Sequence, residues 1–269
     1  MHIRNIFWLA PAAFLCSCNW GVPHSSKPDI TKDTLVYNYK IIKDRASDCG
    51  NKADSACSVA KITYPLFSSQ ATLNDTIASR LLNSYFTGKV PDNNLQQQAD
   101  NFIKAYETDT TRKTDHTDSV IYTLESNAAV IRQDSSLVTV QIDRYVYDGG
   151  AHGSDYTSFV NWDSKANKKI GLDDILKPGF HEQLTAIAQK IFRTDEKLGE
   201  NAPLTNYFFK DAKFSVNNNF LITPIGLRFL YNEYEIKPYS DGQTELLIPY
   251  VQIKSLLKAH TVISQYTKR

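Results

Sequence analysis

The spacing of apolar residues changes once along this chain, and that change decides the fold class. In the stretch 72–86, "TLNDTIASRLLNSYF", Leu73, Ile77, Leu81 and Leu82, then Tyr85, recur at helical spacing, and Gly88 follows as a stop. Pro91 precedes a second such stretch, where Leu95, Ala99, Phe102, Ile103 and Tyr106 repeat at three and four. From Val120 the period becomes two. Residues 120–131, 137–147 and 156–163 read as an antiparallel meander, with Val138, Val140, Ile142 and Val146 on one face of its middle strand. Helices grouped apart from antiparallel strands predict an α+β fold, an antiparallel sheet with helices packed on one face. A parallel α/β fold would alternate the two throughout.

Other segments extend this pattern. Strands are expected at 35–43 and 58–67. "IGLDDIL" opens a helical turn with Asp173 and Asp174 near its start, where a helix dipole favours acids. A third amphipathic helix covers 180–192, using Leu184, Ile187, Ala188 and Ile191. A hairpin from 220–223 to 227–231, a strand at 245–249, a short helix at 250–257 and a polar tail at 259–269 complete the chain. The polar stretch 107–118, "ETDTTRKTDHTD", is either a domain boundary or a long loop, because segments on both sides can share one sheet. The expected division is an N-terminal α+β half, 35–118, and a C-terminal α+β domain, 119–258, as two intertwined halves.

The N-terminus, "MHIRNIFWLAPAAFLCSCNW", has one basic residue, Arg4, then an apolar run too short to span a bilayer, which is the form of a secretory signal, 1–17. Leu15, Cys16, Ser17 and Cys18 resemble the bacterial lipobox, which makes Cys18 the candidate lipidated residue; a signal cut to release a free protein is the alternative. Asn19 after the cysteine favours the outer membrane of the cell envelope. Residues 18–34, rich in Ser, Pro and charge, read as a tether.

Without residues 1–17 the chain loses Arg4 alone among charged residues, leaving 29 basic residues against 29 acidic ones. An electroneutral chain with no run of Lys or Arg is not expected to bind nucleic acid. Contact with a membrane is expected only through the lipid anchor. Past Cys18, only Cys49 and Cys57 remain, too few for a zinc site. An oxidising compartment predicts a disulfide between them, against the alternative of two free thiols.

"ITYPLF" with "TLNDTIASRLLNSYF", then "YVYDGGAHGSDYTSFVNWD", "KKIGLDDIL" and "FLITPIGLRFLYNEYEIKPYSDGQTELLIPY" together resemble a pair of extracytoplasmic bacterial domains of unknown function. Those domains are known from the lysozyme-sensing anti-sigma factor RsiV and from the non-catalytic N-terminal region of the peptidoglycan deacetylase PdaC. Gly149, Gly150, Ala151 and His152, and the run from Tyr234 through Glu235, Ile236, Lys237 and Pro238 to Tyr239, are the most specific pieces. No sigma-binding helix, transmembrane segment or deacetylase domain accompanies them, so neither activity carries over. The resemblance implies a recognition module whose ligand is a lysozyme-like protein or cell-wall peptidoglycan.

Candidate ligand-binding residues are Tyr145, Tyr147, Asp148, Gly149, Gly150, His152, Gly153 and Asp155. The glycines permit close backbone approach in a strand connection, and no P-loop lysine or following helix makes them a phosphate cradle. His152 either fixes the loop through a carbonyl or carboxylate, or meets ligand, or acts with Asp148 as base or metal ligand. Alternation puts Tyr145 and Tyr147 on one face, as an aromatic platform or as half-buried packing. His181 and Glu182 lack the second histidine of a zincin, and Ser154 lies outside any Gly-x-Ser-x-Gly elbow. Asp173 with Asp174, and Glu233 with Glu235, do not establish the separation that glycosidase chemistry needs. The expectation is therefore a binding module with no catalytic residue, metal or cofactor. A glycan-modifying enzyme and a structural envelope lipoprotein are the alternatives.

Overall fold

A computed structural model describes residues 34–83, 92–109 and 120–267. The signal 1–17, Cys18, the tether up to residue 33, Gly88 and most of the polar stretch after Glu107 lie outside the described residues.

Strand β1 (Tyr37–Arg45) turns back into β2 (Val59–Phe67) as an antiparallel pair from Tyr37↔Phe67 to Arg45↔Val59. Cys49 and Cys57 are joined across the loop between them, Cα atoms 5.4 Å apart, and both are buried. Helix α1 (Ala71–Asn83) then puts Leu73, Ile77 and Leu81, four residues apart on one stripe, wholly inside. Helix α2 (Leu95–Thr108) is capped by Asn94, whose side chain accepts the Gln97 amide proton, and buries Leu95, Ala99, Ile103 and Tyr106.

The meander follows as β3 (Thr123–Asp134), β4 (Leu137–Tyr147) and β5 (Ser154–Asp163), with the two-residue β6 (Lys168–Lys169) on its edge. Val138, Val140, Ile142 and Val146 are buried on one face, as the alternation requires. One feature of this sheet lies beyond the sequence pattern. β2 pairs with β3 in parallel, from Val59↔Thr123 to Thr63↔Asn127, so the six strands run in chain order and the two halves share one sheet. The parallel ladder stops two residues before Pro65, which has no amide proton to donate. The Val130 amide proton turns instead to the Tyr39 hydroxyl, 3.3 Å away.

α1 and α2 cover one face of this sheet, over Ala60, Ile62, Leu124, Ala128, Val160 and Trp162. After α3 (Leu172–Ile175) and α4 (Phe180–Asp195), a separate antiparallel sheet forms from β7 (Phe220–Ile222), β8 (Gly226–Tyr231) and β9 (Thr244–Pro249). Phe180, Leu184, Ala188 and Phe192 of α4 join a second core with Phe209, Phe214, Phe229 and Ile248. The fold is therefore α+β, with two sheets and two main cores.

The expected short helix at 250–257 is instead a run of turns, with a single 3₁₀ turn at Lys254–Leu256. The last residues are not a free polar tail. Val262 and Ile263 enter the second core, α5 (Ser264–Thr267) follows, and the Tyr266 hydroxyl donates to Asp134 Oδ2 at 2.6 Å. Burial of these two apolar side chains docks a segment that is otherwise polar.

The two sheets meet at the outer edge of β5, where β6 pairs only with Trp162 and Asp163. Asparagine side chains serve the rest of that edge. Asn219 Oδ1 accepts from Phe159 N at 3.2 Å while its Nδ2 donates to Thr157 O at 2.8 Å. Asn232 treats Thr157 the same way, at 2.7 and 3.1 Å, and Asn161 Nδ2 donates to Phe220 O at 2.8 Å. A primary amide carries one acceptor and two donors, so it can substitute for a neighbouring strand.

Candidate functional site

The β4–β5 connection, residues 148–153, is the glycine-rich stretch singled out above. Gly149 has φ +89°, and a Cβ there would lie 2.9 Å from the Tyr122 ring. A Cβ on Gly153 would lie 2.4 Å from the ring of Tyr145, so this glycine is a seat for an aromatic side chain. The Gly153 carbonyl only accepts, so His152 Nδ1 donates to it at 2.8 Å. Nε2 is in hydrogen-bond contact with the Tyr234 hydroxyl at 3.2 Å.

Tyr234 and Tyr239 belong to the β8–β9 connection, more than eighty positions along the chain. The His152 ring stacks on Tyr239 with centroids 3.9 Å apart and planes at 18°, and Tyr234 stands near both, 6.2 Å from His152 and 5.8 Å from Tyr239. Tyr234 holds a left-handed backbone, φ +61°, and is 55% exposed. Glu235 fixes this conformation: its carboxylate accepts from Asn232 N at 2.9 Å and from Asn217 Nδ2 at 2.8 Å, and its own amide donates to Asn232 O.

Acids border the rings. Asp155 N approaches Glu233 Oε2 at 3.4 Å, which brings both carboxylates to the stack. The Tyr239 phenol is pushed above its ordinary pKa by desolvation first, then by the charges of Glu233 and Asp155 and by Tyr145 and Tyr234. One surface therefore unites Tyr145, His152 and Asp155 with Glu233, Tyr234 and Tyr239. Tyr147 shares the sheet face of Tyr145, half-buried opposite Thr123, while Asp148, Gly149 and Gly150 are exposed along the connection.

Tyr234, Tyr239 and Glu233 were not among the predicted site residues. The run from Tyr234 to Tyr239 was prominent in the sequence, but only folding shows that it meets His152. Asp173 and Asp174 lie in the first turn of α3, as expected, with Asp174 Oδ2 accepting from Gly171 N at 2.8 Å. Exposed His181 stacks on Phe180 at 4.0 Å. Among the described residues no three His, Cys, Asp or Glu side chains converge as a metal site.

Tyr234 also lines a cavity of about 440 Å³ with Arg80, Tyr156, Asn218 and Glu233. A second cavity, about 290 Å³, is lined by Lys169, Asp173, His181, Phe220 and again Asn218. The two cavities have Asn218 in common in their linings.

Fold and site thus define an α+β module with two sheets that displays a stacked aromatic surface where they meet. Two family models match it in succession, in line with the paired domains of unknown function that its motifs resemble: residues 51–155 match the one described as deacetylase PdaC, and residues 173–251 match that of a protein of unknown function, DUF3298. His152 and Asp155 fall in the first match and Glu233, Tyr234 and Tyr239 in the second, so the ring surface lies at their junction. A solved DUF3298 family protein from Bacteroides fragilis NCTC 9343 is 23% identical, covering 88% of this chain and 98% of its own, with a TM-score of 0.66. Another, from Pseudomonas aeruginosa PAO1, is 22% identical, covering 84% and 96%, with a TM-score of 0.65. These likenesses establish the fold. No curated protein matches the chain significantly.

Proposed function

We propose that this chain is a non-catalytic, extracytoplasmic binding module that recognises cell-wall glycan on the surface formed by Tyr145, His152, Tyr234 and Tyr239. The observation that carries this reading is the ring stack itself, an exposed assembly contributed by two distant connections. Stacked rings offer flat apolar faces to sugar rings, and Asp155 and Glu233 beside them accept hydrogen bonds from hydroxyls. Neither ring nitrogen of His152 is given to a carboxylate; one faces a carbonyl and the other a hydroxyl, an arrangement suited to holding loops together. A second reading, a basic lysozyme-like protein as ligand, is favoured by the same two acids among tyrosines, which suit arginine and lysine side chains.

The test is titration calorimetry of the full chain in detergent against purified peptidoglycan fragments and, separately, lysozyme. Tyr239→Ala is expected to weaken glycan binding by roughly 30-fold, the equivalent of about 2 kcal/mol. Wild-type protein that binds lysozyme alone would transfer the proposal to the second reading, and binding of neither would end it. Glycan cleavage or deacetylation lost in His152→Ala would make the protein an enzyme instead.

We further propose that Cys18 carries a lipid that holds the module at the outer membrane. Cys18→Ser should shift the protein to the soluble fraction, and acyl groups should appear at Cys18 by mass spectrometry. A variant that stays membrane-bound would refute the anchor; co-fractionation with inner membrane would refute the location.

A further inference from the structure

We propose that two copies of this chain pair through the outer edge of β1, antiparallel and centred on Ile42, so that Lys40 of each copy meets Asp44 of the other. β1 is the outermost strand of the six-stranded sheet, with β2 on one side and, among the described residues, no strand on the other. Which backbone groups face that open side follows from the ladder itself. Val36 O accepts from Ser68 N at 2.8 Å and Ala46 N donates to Ser58 O at 3.0 Å, so the even-numbered residues of this stretch turn inward to β2. Tyr37, Tyr39, Ile41, Lys43 and Arg45 therefore direct their amide and carbonyl groups outward. The nine residues of the strand contain no proline or bulge that would interrupt a second ladder.

Side chains select the register. Lys43 and Arg45 are committed to Asp54 of the disulfide loop, at 2.6 and 3.4 Å. Lys40, by contrast, has no ion pair or hydrogen bond among the described residues. On the same face, four positions along, the opposite need exists. The Asp44 and Asp100 carboxylates bracket one amide, Gln96 Nε2, which donates to Asp44 Oδ2 at 2.9 Å and to Asp100 Oδ1 at 2.8 Å, and among the described residues no cation pairs with either acid. Burial first, then the hydrogen bond and charge of Asp100, hold the Asp44 carboxyl above its ordinary pKa, against the Gln96 donor. One edge thus carries both an uncompensated cation and an uncompensated pair of acids.

Two such edges exchange hydrogen bonds only where odd-numbered residues lie opposite odd-numbered ones. With Ile41 on the two-fold axis, Lys40 would face Ile42 and the acids would stay unpaired. With Ile42 on the axis, Lys40 faces Asp44 of the second copy and Asp44 faces its Lys40, at non-hydrogen-bonded positions where Cα atoms approach to about 4.5 Å. That register also sets the two Ile41 side chains, each 63% exposed in the single chain, diagonally beside one another. A two-fold contact must be self-complementary, and a cation and an acid on one strand meet that condition. Lysine on an edge strand also serves to keep other strands away. That use accounts for Lys40 and not for the acids placed to receive it, and the two readings predict opposite effects of removing its charge. The contact does not depend on the glycan reading.

The test is sedimentation velocity of the full chain in detergent, repeated with Cys18→Ser so that two lipids in one micelle cannot imitate a dimer. A reversible dimer with a dissociation constant of roughly 1–100 µM is expected. Lys40→Asp and Asp44→Lys should each weaken it by about tenfold or more, and the double exchange should restore it to within about threefold. Ile41→Pro removes an outward amide proton that β2 does not use, so that variant should keep the wild-type circular dichroism spectrum and fail to pair. His152→Ala should pair as wild type does, which keeps this contact separable from the ring surface. A chain that stays monomeric to about 200 µM, pairing that survives Ile41→Pro, or a double exchange that restores nothing would overturn the proposal. Stronger association of Lys40→Asp would do the same, and would make Lys40 a guard of the edge.

Discussion

Tyr234 holds a left-handed backbone, uncommon for a bulky side chain, and is mostly exposed. Glu235 supplies the compensation by fixing the turn from within, which is why neighbouring acids in sequence have unrelated duties here. The glycines differ in the same local way. At Gly153 the obstacle to a side chain is the far end of half-exposed Tyr145, which can swing outward, whereas at Gly226 it is the Ile248 carbonyl, 2.3 Å from the added Cβ. Gly153→Ala is therefore expected to cost under about 1 kcal/mol in urea denaturation while disordering the ring surface, and Gly226→Ala about 3 kcal/mol or more. Equal losses in the two variants would contradict this assignment. His152 illustrates what was legible: a bond to a backbone carbonyl was among the alternatives, but the tyrosines beside its ring were not, because stacking leaves no mark in local spacing.

Secondary-structure elements were the most legible level. The 3.6-residue period located α1, α2 and α4, and the two-residue period located the meander with β4 bounded as expected, because each element buries one face. The edge of β5 was not legible, since its partners are side chains. "NNN" at 217–219 reads as a loop, yet Asn219 completes the hydrogen bonding of a strand sixty residues earlier. Asn219→Ala would leave the Phe159 amide proton and one acceptor site on Thr157 without this partner, at an expected cost of about 2 kcal/mol. Hydrogen exchange at Phe159 should accelerate by roughly the corresponding 30-fold. Unchanged exchange would mean that the amide bridge does not hold the sheets together.

At the scale of the molecule, the α+β class, the disulfide partners and the glycine-rich connection follow from composition, period and turn chemistry, which act over a few residues. The tertiary structure alone decided that β2 and β3 lie parallel, that Val262 and Ile263 dock, and that two distant connections share one stack of rings. Apolar period dictates which face of an element turns inward, because burial scales with area whatever the partner. It does not dictate which buried faces meet, and the loops at their ends are carried wherever that packing leads.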